Sequence, residues 1–203
     1  MEKVTVVKGI AAPLMRQNVD TDVIIPMEKM LMGDRDSLGR FAFHAWRRRA
    51  DGTDDPDFVL NQAPFRDAKI LLAGANFGCG SSREPAVWAI LGLGIRCVIA
   101  PGFGPIFFDN CFANALLPVV LPADRVAAFA EQATAMPGAA FTVDLERCRV
   151  TAPDGGEVAF AVDRRRREAL LQGLDEITLT LRREPEIAAF QEADRVRRPW
   201  VYL

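Results

Sequence analysis

The sequence predicts an α/β fold with a mostly parallel sheet, and three observations carry that prediction. Residues 70–73, 97–100 and 117–120 are short runs that read as buried apolar strands. Turns rich in glycine or proline follow the first two runs. The stretches between the runs, about 82–93 and 106–115, read as helices. Strands alternating with helices predict a parallel sheet with helices packed on it.

The remaining elements are justified in chain order. Residues 4–7, Val-Thr-Val-Val, read as a short strand, and Ala12-Pro13-Leu14 follows it. Asp20-Thr21-Asp22 cannot lie unpaired in a core, whereas Val23-Ile24-Ile25 can. The acidic residues therefore mark a loop entering a buried segment. Residues 27–57, with Gly33, Gly39, Gly52 and Pro56, predict a long irregular stretch of the kind that is usually functional or disordered. Phe41, Phe43 and Trp46 predict that part of it packs. Past the parallel unit, Pro122-Ala123-Asp124 opens an amphipathic helix to about Met136. Residues 141–144, 148–151 and 158–162 read as a small antiparallel ribbon that turns at Gly155-Gly156. A helix over 163–172 ends at Gly173, a plausible C-cap. Residues 177–181 alternate as an exposed edge strand, and a last helix covers about 186–196. The expectation is a single domain over residues 1–203.

Composition narrows the function classes. Lys plus Arg number 25 and Asp plus Glu 27, so no basic excess argues for nucleic acid. Arg164-Arg165-Arg166-Arg167 is expected on a solvated helix face. No apolar run is long enough for a membrane span and the N-terminus lacks a signal-peptide core, which predicts a cytoplasmic protein. Cys79, Cys97, Cys111 and Cys148 are far apart and form neither a disulfide framework nor a metal motif. His44 is the only histidine and stands beside aromatic residues, so a packing or surface role is expected of it.

The most informative stretch is Asn76-Phe77-Gly78-Cys79-Gly80-Ser81-Ser82-Arg83-Glu84. It follows a strand and opens a helix. Gly78 and Gly80 allow sharp turns and close approach of a ligand to the backbone. Ser81 and Glu84 match a capping box, which predicts Ser81 as the N-cap. Free N–H groups at the helix start, together with the helix dipole, favour an anion. Arg83 supplies a planar fork suited to a carboxylate. The blander reading is an ordinary capped helix after a glycine turn. The pattern matches neither of the common nucleotide-binding glycine loops.

Phe77 through Glu84 resembles the small-subunit signature of the 3-isopropylmalate dehydratase family, within the aconitase superfamily. Asn18-Val19-Asp20-Thr21-Asp22 with Ile24-Ile25-Pro26 resembles the family's second signature. Pro56-Asp57-Phe58-Val59-Leu60-Asn61, Val98-Ile99-Ala100-Pro101 and Gly173-Leu174-Asp175 match in the same order. The resemblance implies a swivelling β/β/α domain like the last domain of aconitase. It implies a large-subunit partner carrying a 4Fe-4S cluster, and no cofactor bound by this chain. The implied reaction moves a hydroxyl between adjacent carbons of a branched malate. Ser81 matches the catalytic base, and Ser82 and Arg83 match residues that bind a substrate carboxylate. Arg35 falls where a second carboxylate-binding arginine is placed, in a loop matching the segment that faces substrate and partner. Asp22 matches a supporting aspartate, alongside Asn76, Gly78 and Gly80 in the loop itself; its plainer reading is a turn carboxylate. The sequence departs from the family at Pro85, at Gly74-Ala75 and at Asp34-Arg35-Asp36-Ser37-Leu38-Gly39. These changes leave open another substituted malate, such as a dimethylmalate or citramalate. A non-catalytic dicarboxylate-binding module is the alternative from another class.

Overall fold

The computed structural model describes residues 1–81 and 83–202. Seven strands form one sheet in the order β4-β3-β2-β1-β5-β6-β7. They are β1 (Val6–Leu14), β2 (Ile70–Ala73), β3 (Cys97–Ala100), β4 (Leu117–Val120), β5 (Ala140–Asp144), β6 (Arg149–Thr151) and β7 (Glu157–Ala159). Strands β1 to β4 run parallel, and β5 to β7 continue from β1 as an antiparallel ribbon.

β1 joins the two halves. Val6–Ile10 pairs with β5, and Ala11–Leu14 pairs with β2. The strand is therefore longer than the expected 4–7 and runs through Ala12-Pro13-Leu14. Pro13 lies beyond the β5 ladder, where β1 has one neighbour, and Pro118 lies in the edge strand β4. Both are placements that a proline tolerates.

The parallel strands are covered on both faces, which is why they are apolar throughout. Leu71, Ala73, Val98 and Ala100 face one core, with Ala86, Val87 and Ile90 of the helix that follows β2. Ile70, Leu72, Cys97, Ile99, Leu117 and Val119 face the other, against Val126, Phe129, Phe141 and Val143.

Nine helices accompany the sheet among the described residues: α1 (Thr21–Ile24), α2 (Met27–Met30), α3 (His44–Arg47), α4 (Glu84–Gly92), α5 (Pro105–Ala113), α6 (Ala123–Ala135), α7 (Arg164–Gln172), α8 (Glu176–Leu181) and α9 (Glu184–Arg197). Residues 27–57 are largely irregular, as expected, but carry three single helical turns: α2, a 3-10 turn over Leu38–Phe41, and α3. Phe43 is fully buried and stacks on Trp46 at 6.1 Å and 10°. Buried Asn61 braces the segment: it accepts from Arg47 and donates to the Arg47 and Asp55 carbonyls.

The edge strand expected at 177–181 is instead helix α8. Asp175 caps it by accepting from the Thr178 N–H at 2.7 Å, and that local bond overrides the alternating pattern. The arginine run is also less free than expected. Arg166 pairs with Asp109 at 2.8 Å and lies over Phe108 and Phe112, and Arg167 donates to the Leu145 carbonyl at 2.9 Å. No helix is long and apolar enough to cross a membrane among the described residues.

Candidate active site

Three turns meet at the carboxyl ends of the parallel strands, the position where open α/β sheets bind ligands. They follow β1, β2 and β3. The middle one, which begins at residue 74, is stitched to both neighbours by backbone bonds of Phe77, Gly78 and Cys79. Gly78 and Cys79 N–H donate to the Val19 carbonyl at 2.8 and 3.2 Å, and Thr21 N–H donates to the Cys79 carbonyl at 3.0 Å. On the other side, Phe77 N–H donates to the Gly102 carbonyl at 3.1 Å, and Gly104 N–H donates to the Phe77 carbonyl at 2.9 Å. Phe77 is fully buried and packs edge-on to Phe107 at 5.5 Å.

The loop needs unusual backbone angles, and its residues permit them. Asn76 stands at φ +57° and donates from Nδ2 to Asn18 Oδ1 at 2.9 Å, Asn18 itself being at φ +52°. Gly78 and Gly80 stand at φ +72° and +90°. A Cβ on Gly78 would enter the Phe107 ring, and one on Gly80 would strike the Asp20 carboxylate. The two glycines are therefore required by space as well as by angle.

Ser81 follows directly and is exposed at the rim. It is not the N-cap of α4. That position belongs to Arg83, extended at φ −119° and ψ 158°. Pro85 explains the shift. With Ser81 as cap, the N–H of residue 85 would have to bond the Ser81 carbonyl, and proline has none. The helix starts at Glu84, with Pro85 inside its first turn. Ser81 is thereby left free in the loop, and exposed Arg83 stands at the positive end of the helix. Ser82 lies outside the described residues.

The other sequence-derived residues are distributed as follows. Asp22 is exposed in the first turn of α1. The capping role belongs to Asp20, whose Oδ1 accepts from the Asp22 N–H at 2.7 Å and whose carboxylate abuts Gly80. Sequence reasoning passed over Asp20, although an aspartate directly before Thr-Asp-Val-Ile is a capping signal. Burial, and then the Asp20 carboxylate, push the Cys79 thiol above its ordinary range. Among the described residues, no hydrogen bond or ion pair joins Arg35 to the serine loop. Its guanidinium lies 5.7 Å from the centroid of the Trp88 ring, one turn along α4 from Glu84. It lines an open groove with Trp88, Leu91, Arg96 and Asn114.

Comparison with known proteins bears on this arrangement. The family model described as the aconitase C-terminal domain matches residues 1–124. The model described as LeuD_N matches 127–164, and that of the C-terminal domain of the 3-isopropylmalate dehydratase small subunit matches 176–202. A 3-isopropylmalate dehydratase small subunit from Paramagnetospirillum magneticum is 53% identical over 201 residues, covering 99% of this chain and 100% of the relative. One from Cupriavidus necator is 52% identical, covering 100% of this chain and 99% of the relative. A solved 3-isopropylmalate dehydratase structure from Methanocaldococcus jannaschii superposes with a TM-score of 0.66 at 25% identity, covering 91% of this chain and 98% of that one. The fold is the swivelling β/β/α arrangement of the aconitase C-terminal domain, and the chain belongs to the 3-isopropylmalate dehydratase small-subunit family of the aconitase superfamily.

Proposed function

We propose that this chain is the small subunit of a hydro-lyase that interconverts 2-isopropylmalate and 3-isopropylmalate in the cytoplasm, as a step of leucine biosynthesis. The observation that carries the reading is the serine loop. It is a rigid backbone cradle at the carboxyl ends of the parallel strands, and it presents Ser81 and Arg83 to solvent in a chain matched along its whole length by small subunits of that name.

In this reading Ser81 is the base that takes a proton from carbon. A serine hydroxyl is a weak base and needs electrostatic support. The positive end of α4 and Arg83 supply it. Ser82 and Arg83 bind one substrate carboxylate, and Arg35 binds another. Arg35 comes from the segment before Leu38 and stands over Trp88, one turn along α4 from Glu84. Asp22, exposed beside the loop, supports the active-site hydrogen bonds, and Asn76, Gly78 and Gly80 hold the cradle.

The partner is a large subunit holding a 4Fe-4S cluster, which supplies the Lewis acidity that the departing hydroxyl needs. The thiols of this chain do not form a set for such a cluster. Cys97 and Cys111 are fully buried, while Cys79 and Cys148 lie on separate elements. Two surfaces support the partner. The segment 27–57 exposes Met27, Leu31 and Met32, with Leu31 at 87%. The C-terminal segment, which matches a model specific to small subunits, exposes Ile177, Phe190, Val196 and Trp200.

The test is turnover by the reconstituted complex on 3-isopropylmalate, 2,3-dimethylmalate and citramalate under anaerobic conditions. Preference for 3-isopropylmalate supports the reading; preference for a methylated malate keeps the chemistry and reassigns the substrate. Ser81→Ala is expected to lower turnover roughly 10²–10⁴-fold with assembly intact. An unchanged rate removes Ser81 from the role of base and favours a binding module.

A further inference from the structure

Asn114 caps the C-terminus of α5 and is buried, with 6% of its surface exposed. Both ends of its amide are hydrogen-bonded. Oδ1 accepts from the Trp88 indole N–H at 2.8 Å. Nδ2 donates to Glu84 Oε1 at 3.0 Å and to the Asn110 carbonyl at 3.0 Å. The partners fix which way the amide points, because an indole can only donate and a carboxylate can only accept. A buried, oriented amide of this kind is costly to disturb, since each partner would be left unsatisfied.

The two side chains it holds have something in common. Glu84 is the first residue of α4, next to Arg83 at the N-cap. Trp88 lies one turn on, and its ring is the platform under the Arg35 guanidinium. Arg35 is therefore seated on one of the two side chains that this amide ties together, and Arg83 directly precedes the other in the chain. We infer that Asn114 is a positioning residue of the reaction, setting Arg83 through Glu84 and Arg35 through Trp88. The inference rests on the functional reading above and adds a residue to it. The observed link of Asn114 to an arginine runs through Trp88 to Arg35, which only binds substrate in this reading, so its effect falls on substrate binding more than on the chemical step.

The test uses the reconstituted complex. Asn114→Asp keeps the size and the acceptor for Trp88, but it sets a carboxylate against Glu84 where a donor stood. KM for the preferred malate is expected to rise roughly 10-fold or more, the scale of a lost bond to a charged group, with kcat within about threefold. Adding Glu84→Gln reverses donor and acceptor at unchanged total charge, and it is expected to bring KM back to within severalfold of the wild type. Trp88→Phe, which keeps the ring and removes the N–H, is the second probe should Asn114→Asp not fold; a several-fold rise in KM is expected. No wild-type turnover on any of the three malates sinks the functional reading and this inference with it. Wild-type turnover with KM unmoved by Asn114→Asp or Trp88→Phe overturns the inference alone, as does a double variant no better than Asn114→Asp.

Discussion

Gly80, Gly138 and Gly102 separate two costs that a glycine can hide. Gly80 stands at φ +90° with the Asp20 carboxylate where a side chain would go. Gly138 stands at φ +86° in open space, and Gly102 has neither the angle nor a neighbour. Gly102→Ala is expected to be neutral within about 0.5 kcal/mol. Gly138→Ala should cost about 1–2 kcal/mol from the left-handed angle alone. Gly80→Ala should exceed both and lower turnover, because either Asp20 or the loop must move. Denaturant unfolding of the three variants gives the ranking, and a Gly80→Ala variant as stable as Gly138→Ala would show that Asp20 yields freely. The importance of Gly80 was legible in the sequence as a turn-permitting residue. The residue it abuts was not, because Asp20 lies sixty positions away and meets it only once β1 and β2 are side by side. Asn114 escaped the sequence for the same reason: its value comes from two partners on another helix.

At the level of elements, the apolar runs that became β2, β3 and β4 were readable because burial on both faces leaves a continuous signal. Where two local rules competed, the reading failed. Ser81 and Glu84 fit a capping box, but Pro85 lacks the N–H that such a helix start requires, and the start moved to Glu84. Residues 177–181 alternate like a strand, but the Asp175 cap made them a helix. The first failure carries a prediction. Pro85→Ala restores an N–H four residues after Ser81, so the helix can extend backwards and take the serine into its first turn. Turnover should fall, while thermal stability is kept or raised. Loss of turnover together with clear destabilisation would mean that Pro85 matters for packing rather than for where the helix begins. The end of α9 offers a second test. Asp194 accepts from Arg198 Nε at 2.7 Å and from a terminal Arg198 nitrogen at 2.8 Å, and from the Tyr202 hydroxyl at 3.1 Å. The Arg198 bonds hold the Asp194 carboxyl below its usual range, so its share of this clamp is present above the ordinary carboxylate range and lost as pH falls through the lowered value. Burial first, and then the bond to Asp194, push the Tyr202 phenol up, so that share is lost as pH rises through the raised value. Tyr202 is the only tyrosine in the chain, so phenolate absorbance reads it directly. Asp194→Asn should move its titration down toward about 10, the ordinary value; an unmoved midpoint would mean that the clamp does not hold in solution.

For the whole molecule, the two cores and the C-terminal segment have different tasks. Strands β1 to β6 and helices α4 to α7 supply most of the buried apolar side chains outside residues 19–68. Helices α8 and α9 supply none: Asp194 is the one buried residue of the pair, and Ile177, Phe190, Val196 and Trp200 are exposed at 73%, 63%, 87% and 66%. A segment that buries so little contributes little to the stability of the isolated chain. Several apolar side chains exposed over 27 residues are expected where another protein covers them, each contributing roughly 1.5–3 kcal/mol if fully buried there. The aconitase C-terminal model ends at residue 124, and the segment falls in the part matched by the small-subunit model. A separate subunit needs its own means of holding the partner, and this segment has the surface for it. Removing residues 176–203 should therefore leave thermal unfolding within a few degrees of the full chain while abolishing co-elution with the large subunit. A truncated chain that still assembles and turns over would move the docking role to segment 27–57, whose Met27, Leu31 and Met32 are also exposed.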